Sequence, residues 1–147
     1  MNFAIKSVQK PETCEGCYAA ICLPKPNEET PHGKACFVSG WGTTSSGGSV
    51  SRYLQAVSVN VLSHQYCIDH SPLGPHNIIK NRELCAAIPD HDGDGLLDGG
   101  HDSCQGDSGG PLTCVFDDQP TLTGIVSWGI GCAHKGTEFS IEVFGDQ

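Results

Sequence analysis

Gly106-Asp107-Ser108-Gly109-Gly110-Pro111 sets a single serine among glycines. A serine hydroxyl attacks a carbonyl only when a nearby base takes its proton, so the string is the nucleophile half of an acyl-transfer site. The glycines free the backbone to hold Ser108 outward, and the N–H groups of Gly106 and Ser108 are suited to converge on a developing oxyanion. The same residues satisfy Gly-x-Ser-x-Gly, the elbow between a strand and a helix. Here Gly109-Gly110-Pro111 and a β-rich stretch at 112–116 follow, so no helix starts and the elbow reading is set aside.

A second group with chemistry is acidic. Asp90, Asp92, Asp94 and Asp98 fall at positions 1, 3, 5 and 9 of a loop with Gly95 at position 6. Hard oxygen ligands at that spacing, with a glycine to turn the chain, resemble an EF-hand-type calcium loop. Position 12 is His101 and no helical pattern flanks the loop. Calcium is therefore its candidate ligand, and a solvated surface insertion over residues 88–101 is the alternative.

The elements that must position these groups are short and β-like. In the stretch 54–62, Val57, Val59 and Val61 alternate with Ser58 and Asn60, the period of a half-buried strand. Residues 35–41, 83–87, 111–116, 122–128 and 139–143 are further strand candidates, separated by Gly-, Pro- and Asp-rich turns. Ser63 is placed to cap one short helix through Cys67, and residues 43–51 read as a Gly/Ser-rich loop. The expectation is an all-β barrel or sandwich.

Composition narrows the class. Apolar content of 37 % with 19 Gly and 9 Pro describes a loop-rich globular chain. Nine cysteines point to an oxidising compartment, and the odd count leaves one thiol for another chain or none. A net charge of −9 argues against nucleic acid or an anionic membrane as partner. No apolar run is long enough to span a bilayer, and residues 1–7 lack the apolar core of a signal peptide. Secreted-type cysteine usage without an export signal leads us to expect that the chain is truncated.

In order along the chain, Ile21-Cys22-Leu23-Pro24, Cys36-Phe37-Val38-Ser39-Gly40-Trp41-Gly42, Asp102-Ser103-Cys104-Gln105 with the serine string, and Ile125-Val126-Ser127-Trp128-Gly129 resemble the chymotrypsin/trypsin family of serine proteases. The resemblance covers roughly residues 2–135 and is densest over 101–133. It implies the C-terminal six-stranded barrel of a double-barrel fold over 35–144, preceded by an inter-barrel connecting segment over 1–34, with the first barrel missing. It implies Ser108 as nucleophile and Gly106 with Ser108 as oxyanion hole. Asp102 would sit at the base of a pocket that takes a Lys or Arg side chain, since a buried carboxylate needs a counter-charge. Ser127, Trp128 and Gly129 would form the pocket wall and pair with the substrate backbone as an added strand. Cysteine spacing alone leaves the connectivity open; the resemblance selects Cys36–Cys114, Cys67–Cys85 and Cys104–Cys132. It gives Cys22 a disulfide to another chain, while Cys14 and Cys17 fall outside the pattern and suit a local bridge or a link to Cys22.

Other parts of the family pattern are absent. Asn2 stands where the resemblance puts the triad aspartate, and none of the seven histidines (32, 64, 70, 76, 91, 101, 134) carries the family's Ala-Ala-His-Cys context. In the family Asp107 pairs with an amine newly made by cleavage, and no matching start exists here. Asp107 is thus expected to be unpaired and turned outward, with a poorly formed oxyanion hole. After Lys135 the expected wall strand and final helix are replaced by one short alternation, which should leave the barrel open at an edge. The implied function is a secreted endopeptidase acting on polypeptides after Lys or Arg, with no required cofactor, present as a fragment inactive alone. A catalytically dead homologue acting as a binding module is the alternative.

Overall fold

Six strands and one short helix account for the regular structure of the described residues. They are β1 (Ala35–Gly40), β2 (Gln55–Leu62), α1 (His64–His70), β3 (Glu83–Ala87), β4 (Pro111–Phe116), β5 (Gln119–Gly129) and β6 (Phe139–Val143). The computed structural model describes residues 20–25, 28–70, 83–100, 102–129, 132, 134–136 and 139–143, the last five through their backbone. All pairings among these six strands are antiparallel, and the sheet closes into a barrel in the order β1-β2-β3-β6-β5-β4.

Closure corrects one expectation. β6 is not a dangling end, because Glu142 pairs with Glu83 on one side and with Ile125 on the other. Backbone pairing of the last strand with both neighbours closes the gap between β3 and β5, so no sheet edge is left there.

The valine alternation of β2 becomes the inside of the barrel. Val59 and Val61 are buried with Val38, Ala86, Leu112 and Val126, and Val57, Leu84 and Phe116 pack against them. Each fully buried aliphatic side chain contributes about 1.5–3 kcal/mol relative to exposure. The alternate residues of β3 face the other way, so Cys85 and Ala87 join Leu62, Cys67 and Leu97 in a second cluster beneath α1. Ser63 caps that helix by accepting the Tyr66 N–H on Oγ at 3.1 Å.

Leu97 explains why the acidic insertion is not a free loop. Its side chain is fully buried; its N–H donates to the His70 carbonyl at 3.1 Å, and its carbonyl accepts from Gly136 at 2.7 Å. Among the described residues, three disulfides cross-link the fold: Cys36–Cys114, Cys67–Cys85 and Cys104–Cys132. Cys36 and Cys114 are direct partners in the β1–β4 register. Cys22 is exposed and unbridged among the described residues; Cys14 and Cys17 lie outside them.

Candidate active site

The serine string is a pair of consecutive tight turns leading into β4. Asp107 N–H donates to the Cys104 carbonyl at 3.0 Å, and Gly110 N–H donates to the Asp107 carbonyl at 2.8 Å. Gly109 and Gly110 then exchange backbone hydrogen bonds with Val126 of β5, at 2.8 and 2.9 Å. Gly106 has φ of 99°, a conformation that residues with a Cβ avoid. The result holds Ser108 at the surface. Neither the Gly106 N–H nor the Ser108 N–H donates to another group among the described residues, and Ser108 Oγ has no hydrogen-bond partner there.

Asp107 is not unpaired. Its carboxylate, half-buried, accepts from Gly42 N–H at 2.7 Å and from Cys104 N–H at 3.0 Å, one oxygen for each donor. The expected outward swing is therefore corrected: backbone donors from the 40–42 turn take up the charge without any amine. The approach is so close that a Cβ built on Gly40 would lie 2.1 Å from Asp107 Oδ1, and one on Gly42 2.5 Å from its Cγ. The Gly40-Trp41-Gly42 string thus makes room for a carboxylate.

Asp102 is half-buried and accepts the Ser103 N–H at 2.7 Å. With Asp107, Gly42, Thr43, Gln55 and Cys132 it lines a cavity of about 210 Å³ on the β1–β2 side of the serine turn. Ser108 and residues 127–129 are not part of that lining. Residues 127–129 end β5. β4 leaves β5 at the pair Pro111↔Ile125, so beyond Val126 the edge facing the serine turn carries no strand among the described residues. A register shift between Val126 and Trp128 changes which face the chain presents. Val126 points into the barrel, whereas the Trp128 indole reaches the outer face and donates from Nε1 to Glu83 Oε1 at 3.2 Å.

The acidic loop brings one carboxylate oxygen each of Asp90, Asp92 and Asp98 within 4.8 Å of one another. Asp94 turns instead to Lys135, whose ammonium is 2.7 Å from Asp94 and 2.6 Å from Asp92. Hydrogen bonding to Lys135 holds the Asp92 carboxyl below its ordinary value, and the same contacts push the Lys135 amine up. The expectation treated these four aspartates as one set; a lysine from the segment after Cys132 divides them. Asn2 and His101 lie outside the described residues. Sequence reasoning missed Glu83 beneath Trp128, Lys135, and the Gly40 and Gly42 cradle.

A closed antiparallel barrel with an exposed, glycine-set serine and a backbone-held aspartate beside it describes a serine-hydrolase lobe. The trypsin family profile matches residues 2–145, and the chain belongs to that family of serine proteases. It is 40 % identical over 129 residues to trypsin-1 of Salmo salar, covering 88 % of this chain and 46 % of that protein. It is 45 % identical over 115 residues to transmembrane protease serine 9 of Rattus norvegicus, covering 78 % of this chain and 10 % of the relative. Against human transmembrane protease serine 5 it is 41 % identical over 131 residues, covering 86 % and 26 %. The chain thus spans less than half the length of these relatives. No helix among the described residues is long and apolar enough to cross a membrane.

Proposed function

We propose that this chain is the nucleophile-bearing lobe of an extracellular trypsin-like endopeptidase that cleaves polypeptides after Lys or Arg. Ser108 is the nucleophile, Gly106 and Ser108 N–H groups receive the oxyanion, and Asp102 pairs with the basic side chain. Ser127, Trp128 and Gly129 take the substrate backbone as an added strand. The observation that carries the reading is the serine turn itself. Ser108 is exposed, the Gly106 and Ser108 N–H groups have no acceptor among the described residues, and Asp107 is anchored to Gly42 and Cys104. The edge of β5 beside that turn, which carries no strand among the described residues, supports the substrate register.

No described histidine hydrogen-bonds Ser108 Oγ, so the chain alone is expected to be inactive and to need a second lobe carrying the base. Cys22 is the proposed disulfide link to a partner chain. Fluorophosphonate labelling with peptide mapping tests inactivity: the expected result is no rapid modification, and fast labelling of Ser108 would overturn it. Binding of p-aminobenzamidine, lost in Asp102→Ser, tests the basic pocket. Labelling and amidine binding both absent would favour the binding-module reading, which Asn2 suggests. No cofactor is required for acyl transfer by serine. Calcium, where bound, is taken by Asp90, Asp92 and Asp98 in competition with Lys135, so calorimetry should show tighter calcium binding in Lys135→Met. No heat from either protein would end that idea.

A further inference from the structure

The Asp–Gly pairs of the chain, Asp92-Gly93, Asp94-Gly95 and Asp98-Gly99, all lie in the insertion between β3 and the serine turn. Such a pair can rearrange without a catalyst. The glycine amide nitrogen attacks the aspartate Cγ, a C–N bond forms, one carboxyl oxygen leaves as water, and a succinimide results. Glycine has no side chain to hinder that ring closure. Water then reopens the ring, and opening at the α-carbonyl leaves an isoaspartyl link with an extra methylene in the backbone. The nucleophile is the glycine nitrogen, so a group that holds its N–H slows the reaction.

The fold treats the pairs differently. Gly93 N–H donates to Asp90 Oδ1 at 2.7 Å and Gly95 N–H to Asp90 Oδ2 at 2.8 Å, so one carboxylate takes both nitrogens. Gly99 N–H donates to no group among the described residues. The carboxyls do not separate the sites, because a basic side chain holds each of them. Lys135 lies against Asp92 and Asp94, and His91 against Asp98. The contrast is in the amides.

We propose that Asp98–Gly99 is the site at which the folded chain converts spontaneously to isoaspartate, and that Asp90 protects the other two pairs. The added methylene enters the backbone between the buried anchor Leu97 and Gly100, which lines the cavity together with Asp102. Asp98 N–H is tied to the Ile88 carbonyl at 3.1 Å, so the extra length is passed on toward Gly100. The Asp98 carboxyl that His91 holds becomes the peptide carbonyl, and the former backbone carboxyl becomes the free acid. Neither Ser108 nor Asp102 takes any part in the conversion.

The full chain, disulfides intact, is aged at neutral pH and body temperature, and isoaspartate is located by methyltransferase labelling with peptide mapping. Freeing a nitrogen from a charged acceptor in an exposed loop should make Asp98 convert about tenfold faster than Asp92 or Asp94. The same chain, reduced and unfolded in denaturant, should convert at all the pairs at similar rates, which assigns the bias to the fold. Asp90→Ala should raise conversion at Asp92 and Asp94 about tenfold and leave Asp98 unchanged. Asp98→Glu keeps the charge but needs a larger ring, and should abolish the main product. Asp92 or Asp94 converting as fast as Asp98 in the folded parent overturns the proposal, as does the same bias in the unfolded chain. A parent that stays unconverted at Asp98 while the unfolded chain converts overturns it too. A folded Asp90→Ala protein with unchanged rates overturns the protecting role of Asp90.

Discussion

Replacing Asp107 by asparagine asks how firmly the serine turn is held. The carboxylate accepts one backbone N–H on each oxygen, Gly42 at 2.7 Å and Cys104 at 3.0 Å. An amide has one oxygen, so one of those donors would face an NH2 group instead. A hydrogen bond to a charged acceptor contributes about 1.5–3 kcal/mol, and stranding a donor costs about 1–3 kcal/mol. Because the side chain is half-buried, water recovers part of this, and the expected loss is about 2–4 kcal/mol. For a domain of this size that lowers Tm by roughly 4–16 °C, at about 2–4 °C per kcal/mol. Thermal unfolding followed by circular dichroism, with disulfides intact, measures it. Gly40→Ala attacks the same contact sterically, since its Cβ would stand 2.1 Å from Asp107 Oδ1. The two changes remove one interaction, so the double variant should lose about as much as either single one. Full additivity, or an asparagine variant as stable as the parent, would refute the anchored carboxylate.

Two further outcomes are expected. Removing the Cys36–Cys114 bridge, with a separation of 78 residues, should destabilise by about 4–5 kcal/mol, against about 3 kcal/mol for Cys67–Cys85 at 18. Urea unfolding of the paired Cys→Ala variants gives the order, and a reversed order would count against the loop-entropy argument. The Lys135 clamp has a defined pH window. Asp92 is held below 3.8 by its hydrogen bond from Lys135, so its contribution is complete above 3.8 and lost as pH falls through the lower folded value. Lys135 is raised above 10.5 by Asp92 and then Asp94, so its share is complete below 10.5 and lost as pH rises through the higher folded value. The Tm difference between the parent and Lys135→Met should be small, because all three groups are exposed, and constant between those limits. A difference that changes near neutrality would contradict the pairing.

The strands were legible because their signal is local. Val57, Val59 and Val61 announce β2 by period alone, and Asp117-Asp118 ends β4 in a turn whose two residues have φ of 47° and 61°. The serine turn was legible because its glycines must be there for the backbone to take that path. What was missed depends on residues far apart in sequence. Glu83 reads as a solvated acid until Trp128, 45 residues on, closes over it. Leu97 sits among aspartates, yet it is the residue that nails the insertion to α1 and to Gly136. The fate of Asp107 was misjudged for the same reason: its partners belong to the 40–42 turn, 65 residues earlier. Closure of the barrel by β6 likewise follows from two distant strands, not from the pattern of the last residues.

The disulfides overlap along the chain. One spans residues 36 to 114 and another 104 to 132, so together they cover 36 to 132 without a gap. Any single peptide bond hydrolysed within that stretch leaves the two products tied by at least one bridge. A nicked molecule would therefore run as one species on a non-reducing gel and separate only after reduction. A cut in an exposed loop of that stretch thus becomes a wound that does not dismember the chain.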